Sequence, residues 1–165
     1  MDAGPFLAEV GRHLNALNLE VVLIGNAAAA LQGAPVTTVD FDFLFRKTSG
    51  NLTKLKRLAD ALDATVLRPY YPISDLYRVV RDADGLQLDF MATVHGVRSF
   101  PGLRARASIV DVNGVPVYVA SLEDIIKSKR AARRPSDLAV LPILEKALAQ
   151  AAKSTGPARR RSPRE

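Results

Sequence analysis

The run Val39-Asp40-Phe41-Asp42-Phe43-Leu44-Phe45 sets two carboxylates two residues apart inside an otherwise apolar stretch. Alternation along a β-strand sends Asp40 and Asp42 to one face, with Cα atoms roughly 6.5–7 Å apart, and Phe41, Phe43 and Phe45 to the other. Aspartate is depleted in strands, costly to bury without a partner, and repelled by a second carboxylate this close. A divalent cation between the two acids would relieve both penalties. Taken alone, an Asp-x-Asp is more often a turn cap plus an arginine pair, so the residues around it decide the reading.

Upstream lies the short apolar strand Leu19 to Ile24, then Gly25-Asn26, then the helix-prone run Ala27 to Gln32. A helix that starts just after a glycine presents free backbone N–H groups and the positive end of its dipole, which suits a phosphate. Asn26 adds a side-chain donor. Many strand-to-helix junctions use Gly and Asn only as turn and cap, so the junction is weak evidence by itself. No Gly-x-x-x-x-Gly-Lys-Ser/Thr run occurs, which excludes a P-loop.

Gly25-Asn26, thirteen residues, and then Asp40-Phe-Asp42 among hydrophobics is an informative order. The stretch from Leu23 to Phe45 resembles the signature of polymerase-β-like nucleotidyltransferases and looks closest to their minimal AbiEii and MenT-type toxin branch. Gly33 and Thr38 fit that pattern; Asn26 stands where Gly or Ser is usual, and Val36 where Arg is common. The resemblance implies that Asp40 and Asp42 hold magnesium, in a two-metal site, and that Gly25, Asn26 and Thr38 lie on the nucleotide side. It also implies a third carboxylate on a later strand. Leu86-Gln-Leu-Asp89-Phe-Met91 alternates as a strand with Asp89 on its polar face, so Asp89 is the candidate third metal ligand or catalytic base. On its residues alone, Asp89 reads as the hairpin end that follows the turn Asp82-Ala-Asp84-Gly85.

Farther along, Ser121-Leu-Glu-Asp124 is a capping-box-like start for a helix carrying Lys127, Lys129 and Arg130, followed by Arg133-Arg-Pro-Ser-Asp137. The same resemblance makes Lys129 and Arg134 candidates for triphosphate contact, with Asp137 after them. A basic helix is as often a solvated face, and Asp137 reads equally as a helix cap.

The 165 residues fit one domain, expected over 1–152, with a basic disordered tail over 153–165. That tail holds five cations and one anion of a chain whose net charge is +6, so the rest is nearly balanced. Arg98, Arg104 and Arg106 are expected in a loop that a polyanion could meet. The chain has no cysteine, which excludes disulfides and thiolate metal sites, and its two histidines lack ligand spacing. No apolar run is long enough for a membrane span and no signal-peptide pattern opens the chain, so a cytoplasmic protein is expected.

The order of elements is helix (about 5–17), strand (19–24), helix (26–32), strand (39–45), helix (51–63), strands near 65–68 and 76–81, strand (86–93), a hairpin near 108–112 and 115–120 turning at Asn113-Gly114, and helices 121–132 and 136–151. This is an α/β (α+β) chain: a mixed sheet with helices packed on it and a C-terminal helical pair. The expected function is transfer of a nucleoside monophosphate from a nucleoside triphosphate to an acceptor hydroxyl. By resemblance the acceptor is the 3′ end of tRNA, the nucleotide often a pyrimidine, and a cognate antitoxin restrains the activity. A protein or small-molecule hydroxyl, or an inert nucleotide-fold binding module, are the alternatives.

Overall fold

The computed structural model describes residues 3–38, 40–67 and 75–154. Its elements are α1 (Gly4–Ala16), β1 (Val21–Ile24), α2 (Gly25–Leu31), β2 (Asp40–Phe45), α3 (Ser49–Ala61), β3 (Thr65–Leu67), β4 (Leu76–Arg81), β5 (Leu86–Met91), α4 (Phe100–Arg106), β6 (Ser108–Val112), β7 (Val115–Val119), α5 (Leu122–Ala132) and α6 (Pro135–Ser154). The strands form one mixed sheet in the order β3-β4-β5-β2-β1-β7-β6. β2 runs parallel to β5 and antiparallel to β1, while β1 runs parallel to β7. The fold class read from the sequence is therefore the one observed.

Period-two alternation in β2 and β5 divides the sheet into an apolar face and a polar one. Phe41, Phe43 and Phe45 are all buried, as are Leu86, Leu88 and Phe90. Phe43 stacks on Phe90 at 5.1 Å, and Phe45 meets Phe90 and Tyr77 edge-on at 6.2 and 5.9 Å. Burying each phenylalanine is worth roughly 1.5–3 kcal/mol, and favourable ring geometry adds about 0.5–1.5 kcal/mol per pair. Helix α1 lies close on this face. A Cβ at Gly11 would stand 3.0 and 3.1 Å from the Val115 and Val117 side chains, so the small residue sets the approach.

Two boundaries differ in a way that matters. Arg104 and Arg106 lie on the helix α4, whose N-cap Ser99 accepts from the Gly102 N–H, rather than in a loop. Short α4 buries Leu103 as its anchor with Phe100 partly buried beside it, and seven residues leave little periodicity to read. At the C-terminus α6 continues through Ser154, past the expected start of the tail. The rest of the tail, and Val39, lie outside the described residues.

Candidate active site

Residue pairing builds the site. Ile24 of β1 pairs with Asp42 of β2, Asp42 with Asp89 of β5, and Asp89 with Arg78 of β4. Side chains opposite one another in a sheet share a face. Arg78, Asp89, Asp42 and Ile24 thus form one rung across four strands, on the side away from the phenylalanines. Asp40 pairs with Gln87 two residues earlier and is exposed at the start of β2.

The acids of that rung have different environments. Both oxygens of buried Asp89 accept from the Arg78 guanidinium, Oδ1 from Nε at 2.8 Å and Oδ2 from Nη2 at 3.2 Å, and Gln87 Nε2 donates to Oδ2 at 3.4 Å. Half-buried Asp42 accepts no hydrogen bond among the described residues. Its pKa is pushed up to about 6, first by burial and then by the charges of Asp89 and Asp40, with Lys129 and Arg134 opposing. Among the described residues, no three carboxylates or imidazoles are gathered tightly enough to enclose a cation. Asp42 nevertheless fits a divalent ion: among the described residues its charge has no ion-pair partner, and it is half-buried and crowded by like charge, the strain a cation relieves.

Gly25 lies against Asp42. It takes φ +72°, a left-handed conformation that favours glycine, and a Cβ there would stand 2.9 Å from Asp42 Oδ2. The alanine run after it makes α2, which ends at Gly33 with φ +92°. Gln32 ties α2 to the end of β7, donating to the Ala120 carbonyl at 2.7 Å. Asn26, the first residue after the turn, buries its Oδ1 with no hydrogen-bond partner. Such an orphan costs about 1–3 kcal/mol and is therefore notable. Thr38 is differently engaged: its hydroxyl donates to the Asp40 carbonyl at 2.9 Å and accepts from the Asp40 N–H at 3.2 Å, which pins the entry to β2.

Opposite the acids stands a cationic wall. Ser121 caps α5, accepting from the Asp124 N–H at 3.1 Å as its sequence indicates. The helix ends at Arg133, which turns left-handed at φ 57°, and Pro135 opens α6. This tight junction brings Arg134 onto Asp137, with Nε to Oδ2 at 2.8 Å and Lys129 Nζ to Oδ1 at 3.5 Å. Asp137 is nearly inaccessible; burial acts to raise its pKa, but the Arg134 hydrogen bond and both cationic charges hold it below the usual range. Asp137 thus holds the two cations as well as accepting the Arg134 N–H at 3.2 Å, which is the capping role its sequence position allows.

Between the walls lies a cleft open to solvent, reached by Gly25, Asp42, Lys129, Arg134 and Asp137 and lined also by Met91, Val97, Leu103 and Ile125. Of the residues singled out in the sequence, Gly25, Asp42, Lys129 and Arg134 meet here. Asp89 adjoins on the rung, whereas Asp40 and Thr38 stand at the strand's entry. The arginines 104 and 106 are committed to structure: Arg106 forks buried Asp124, and Arg104 covers the Tyr118 ring at 3.4 Å while donating to the Val21 carbonyl. Arg78 is the residue that motif reading missed. Counting back from the four-residue turn Asp82–Gly85, with Arg81 opposite Leu86, would have set it opposite Asp89.

A mixed sheet with paired acids beside a glycine turn, facing a lysine and an arginine, defines a nucleotidyltransferase-type fold. The chain belongs to the family described as "Nucleotidyl transferase of unknown function (DUF2204)", which matches residues 5–155. No curated protein matches the sequence. A Thermotoga maritima protein assigned as a nucleotidyltransferase is similar at TM-score 0.59 and 19% identity, over 88% of this chain and 92% of that one. The antibiotic-resistance factor ANT(2'')-Ia, solved with adenylyl-2''-tobramycin, is similar at 0.62 and 15%, over 93% and 94%. The lincosamide antibiotic adenylyltransferase LnuA, bound to lincomycin, is similar at 0.62 and 10%, over 89% and 98%. At these identities the likeness is one of fold. Among the described residues, no helix is long and apolar enough to cross a membrane.

Proposed function

We propose that this nucleotidyltransferase-family protein moves a nucleoside monophosphate from a nucleoside triphosphate to an acceptor hydroxyl, with magnesium at Asp42. The observation that carries this is that Asp42, paired in the sheet with Asp89, lines one cleft together with Lys129 and Arg134. Asp42 would be the principal metal ligand, with Asp40 and Asp89 beside it. A bound divalent cation would supply charge neutralisation for the entering and leaving oxygens of an in-line displacement. Lys129 and Arg134 would hold the triphosphate and receive its growing negative charge, while Asp137 keeps them aimed. Gly25 lets the phosphates approach the backbone beside Asp42, and the orphaned Asn26 Oδ1 can accept from a hydroxyl or N–H of the nucleotide. Asp89, oriented by Arg78, would steer the acceptor hydroxyl or take its proton.

For the acceptor, the sequence resemblance to the AbiEii and MenT branch supports the 3′ end of tRNA. Nucleotide addition there would block aminoacylation, in a cytoplasmic setting and under a cognate antitoxin. A second reading, a small-molecule hydroxyl, is favoured by the lincomycin- and tobramycin-linked neighbours, whose whole chains this one nearly spans. Magnesium, each α-labelled nucleoside triphosphate, and either total tRNA, an aminoglycoside or a lincosamide distinguish them. Label entering tRNA, and lost in Asp42→Asn, supports the first reading. Label in the antibiotic moves the acceptor to the second, and equal labelling by Asp42→Asn would remove the mechanism altogether.

A further inference from the structure

Arg78 stands where no motif places a residue, yet it governs one of the two rung acids. Its partner Asp89 is nearly closed off, with 11% of the side chain exposed, and Arg78 itself keeps 37%. The guanidinium uses a fork to occupy both carboxylate oxygens, and Gln87 adds a third donor. An arginine does not lose its proton in this setting, so only competition can open the pair. Among the described residues, Asp42, one strand away on the same rung, has no such partner. The Asp89 carboxylate holds the Arg78 charge in place first, and the charges of Asp40 and Asp42 add to the attraction.

We propose that Arg78 is a positioning residue that keeps Asp89 from sharing a divalent cation with Asp42, so that a free cation is held weakly and one carried by a triphosphate is favoured. This rests on the metal-dependent reading above. Arg78 neutralises one of the two rung charges and engages both oxygens that would ligate the ion. Free cation therefore binds at Asp42 weakly, whereas a cation carried by polyphosphate brings its own ligands and needs Asp89 less. A merely structural arginine behaves oppositely, because its loss would loosen the rung and weaken binding of any ion.

The test is titration of Mn2+ alone, followed by its electron paramagnetic resonance signal, into the full-length protein and the variants Arg78→Gln, Arg78→Lys and Asp42→Asn. Thermal denaturation checks that each is folded. Arg78→Gln should tighten Mn2+ binding by about tenfold, the effect of removing one close opposite charge from a carboxylate. Arg78→Lys, which keeps the charge but loses the fork, should tighten it by less. Unchanged or weaker binding in folded Arg78→Gln, with binding lost in Asp42→Asn, would overturn the Arg78 role and leave the metal site standing. Should Arg78→Gln not fold, unchanged affinity in Arg78→Lys overturns it equally. Mn2+ affinity retained in Asp42→Asn would remove the underlying metal reading and this proposal with it.

Discussion

The two walls of the cleft solve opposite electrostatic problems. On the helix side, Lys129 and Arg134 share nearly inaccessible Asp137, which holds both in place and leaves one positive charge in excess. On the sheet side, Asp89 is paired with Arg78, while Asp42 accepts no hydrogen bond among the described residues and its burial and like-charge repulsion outweigh the attraction of Lys129 and Arg134. Paired charges hold shape, and the unpaired one is free to bind something positive. A wall built only of pairs would be rigid and inert, and one built only of free acids would not fold well.

Removing the unpaired acid should break that contrast most completely. Asp42→Asn should lower nucleotidyl transfer by about 10³-fold, comparable to losing a principal electrostatic contact to the reacting phosphate. Its melting temperature should hold or rise, since like-charge repulsion disappears; a fall of several degrees would mean Asp42 is structural. Removing the hub of the paired wall should do the reverse. Asp137→Asn should cost about 2–3 kcal/mol in urea denaturation, because it strands Lys129 beside the sheet without its anion. Retained stability would show that the two cations need no organiser.

A smaller effect is expected at the seam. Gly25→Ala must accept φ +72° and a Cβ 2.9 Å from Asp42 Oδ2. A cost of about 1–2 kcal/mol should appear as lost stability, together with a raised KM for nucleotide. Unaltered stability and KM would separate Gly25 from the acid it touches.

Acidity separates paired from unpaired carboxylates most finely. Glu9 and Asp84, both hydrogen-bonded to Arg81, and Asp137 have folded pKa values below their ordinary 4.5, 3.8 and 3.8. Each stabilises the fold fully above its ordinary value and ceases to as pH falls through the lower folded one. Asp42 has the opposite sign. Its folded value near 6 exceeds its ordinary 3.8, so its charge disfavours the fold at neutral pH and protonation relieves this below about 6. Without added metal, the urea midpoint should therefore rise modestly from pH 7 to 5 and fall below about 4. Asp42→Asn should lose the rise and keep the fall; a rise surviving in that variant would assign it to another group.

Much of this site was legible in the residues themselves. Phenylalanines at 41, 43 and 45 fix the strand face, because misplacing them by one residue would expose three rings. That periodicity alone turns Asp40 and Asp42 together. Ser121 and the Asn113-Gly114 turn, with φ 50° and 85°, likewise follow from local chemistry, since caps and tight turns are decided within four residues. Helix α4 escaped because two apolar residues in seven make too short a pattern, and Arg78 escaped because an arginine in a strand advertises no partner.

By itself, then, the sequence determined the strands, the turns and the identity of the chemical groups, all consequences of interactions between near neighbours. Only the tertiary structure decided which acid is paired and which is free. That choice depends on β5 pairing with β2 on one side and β4 on the other, and on the Arg133 turn swinging Arg134 back over Asp137. Charge balance in a cleft is summed over strands and helices far apart in the chain, and no local pattern encodes the sum.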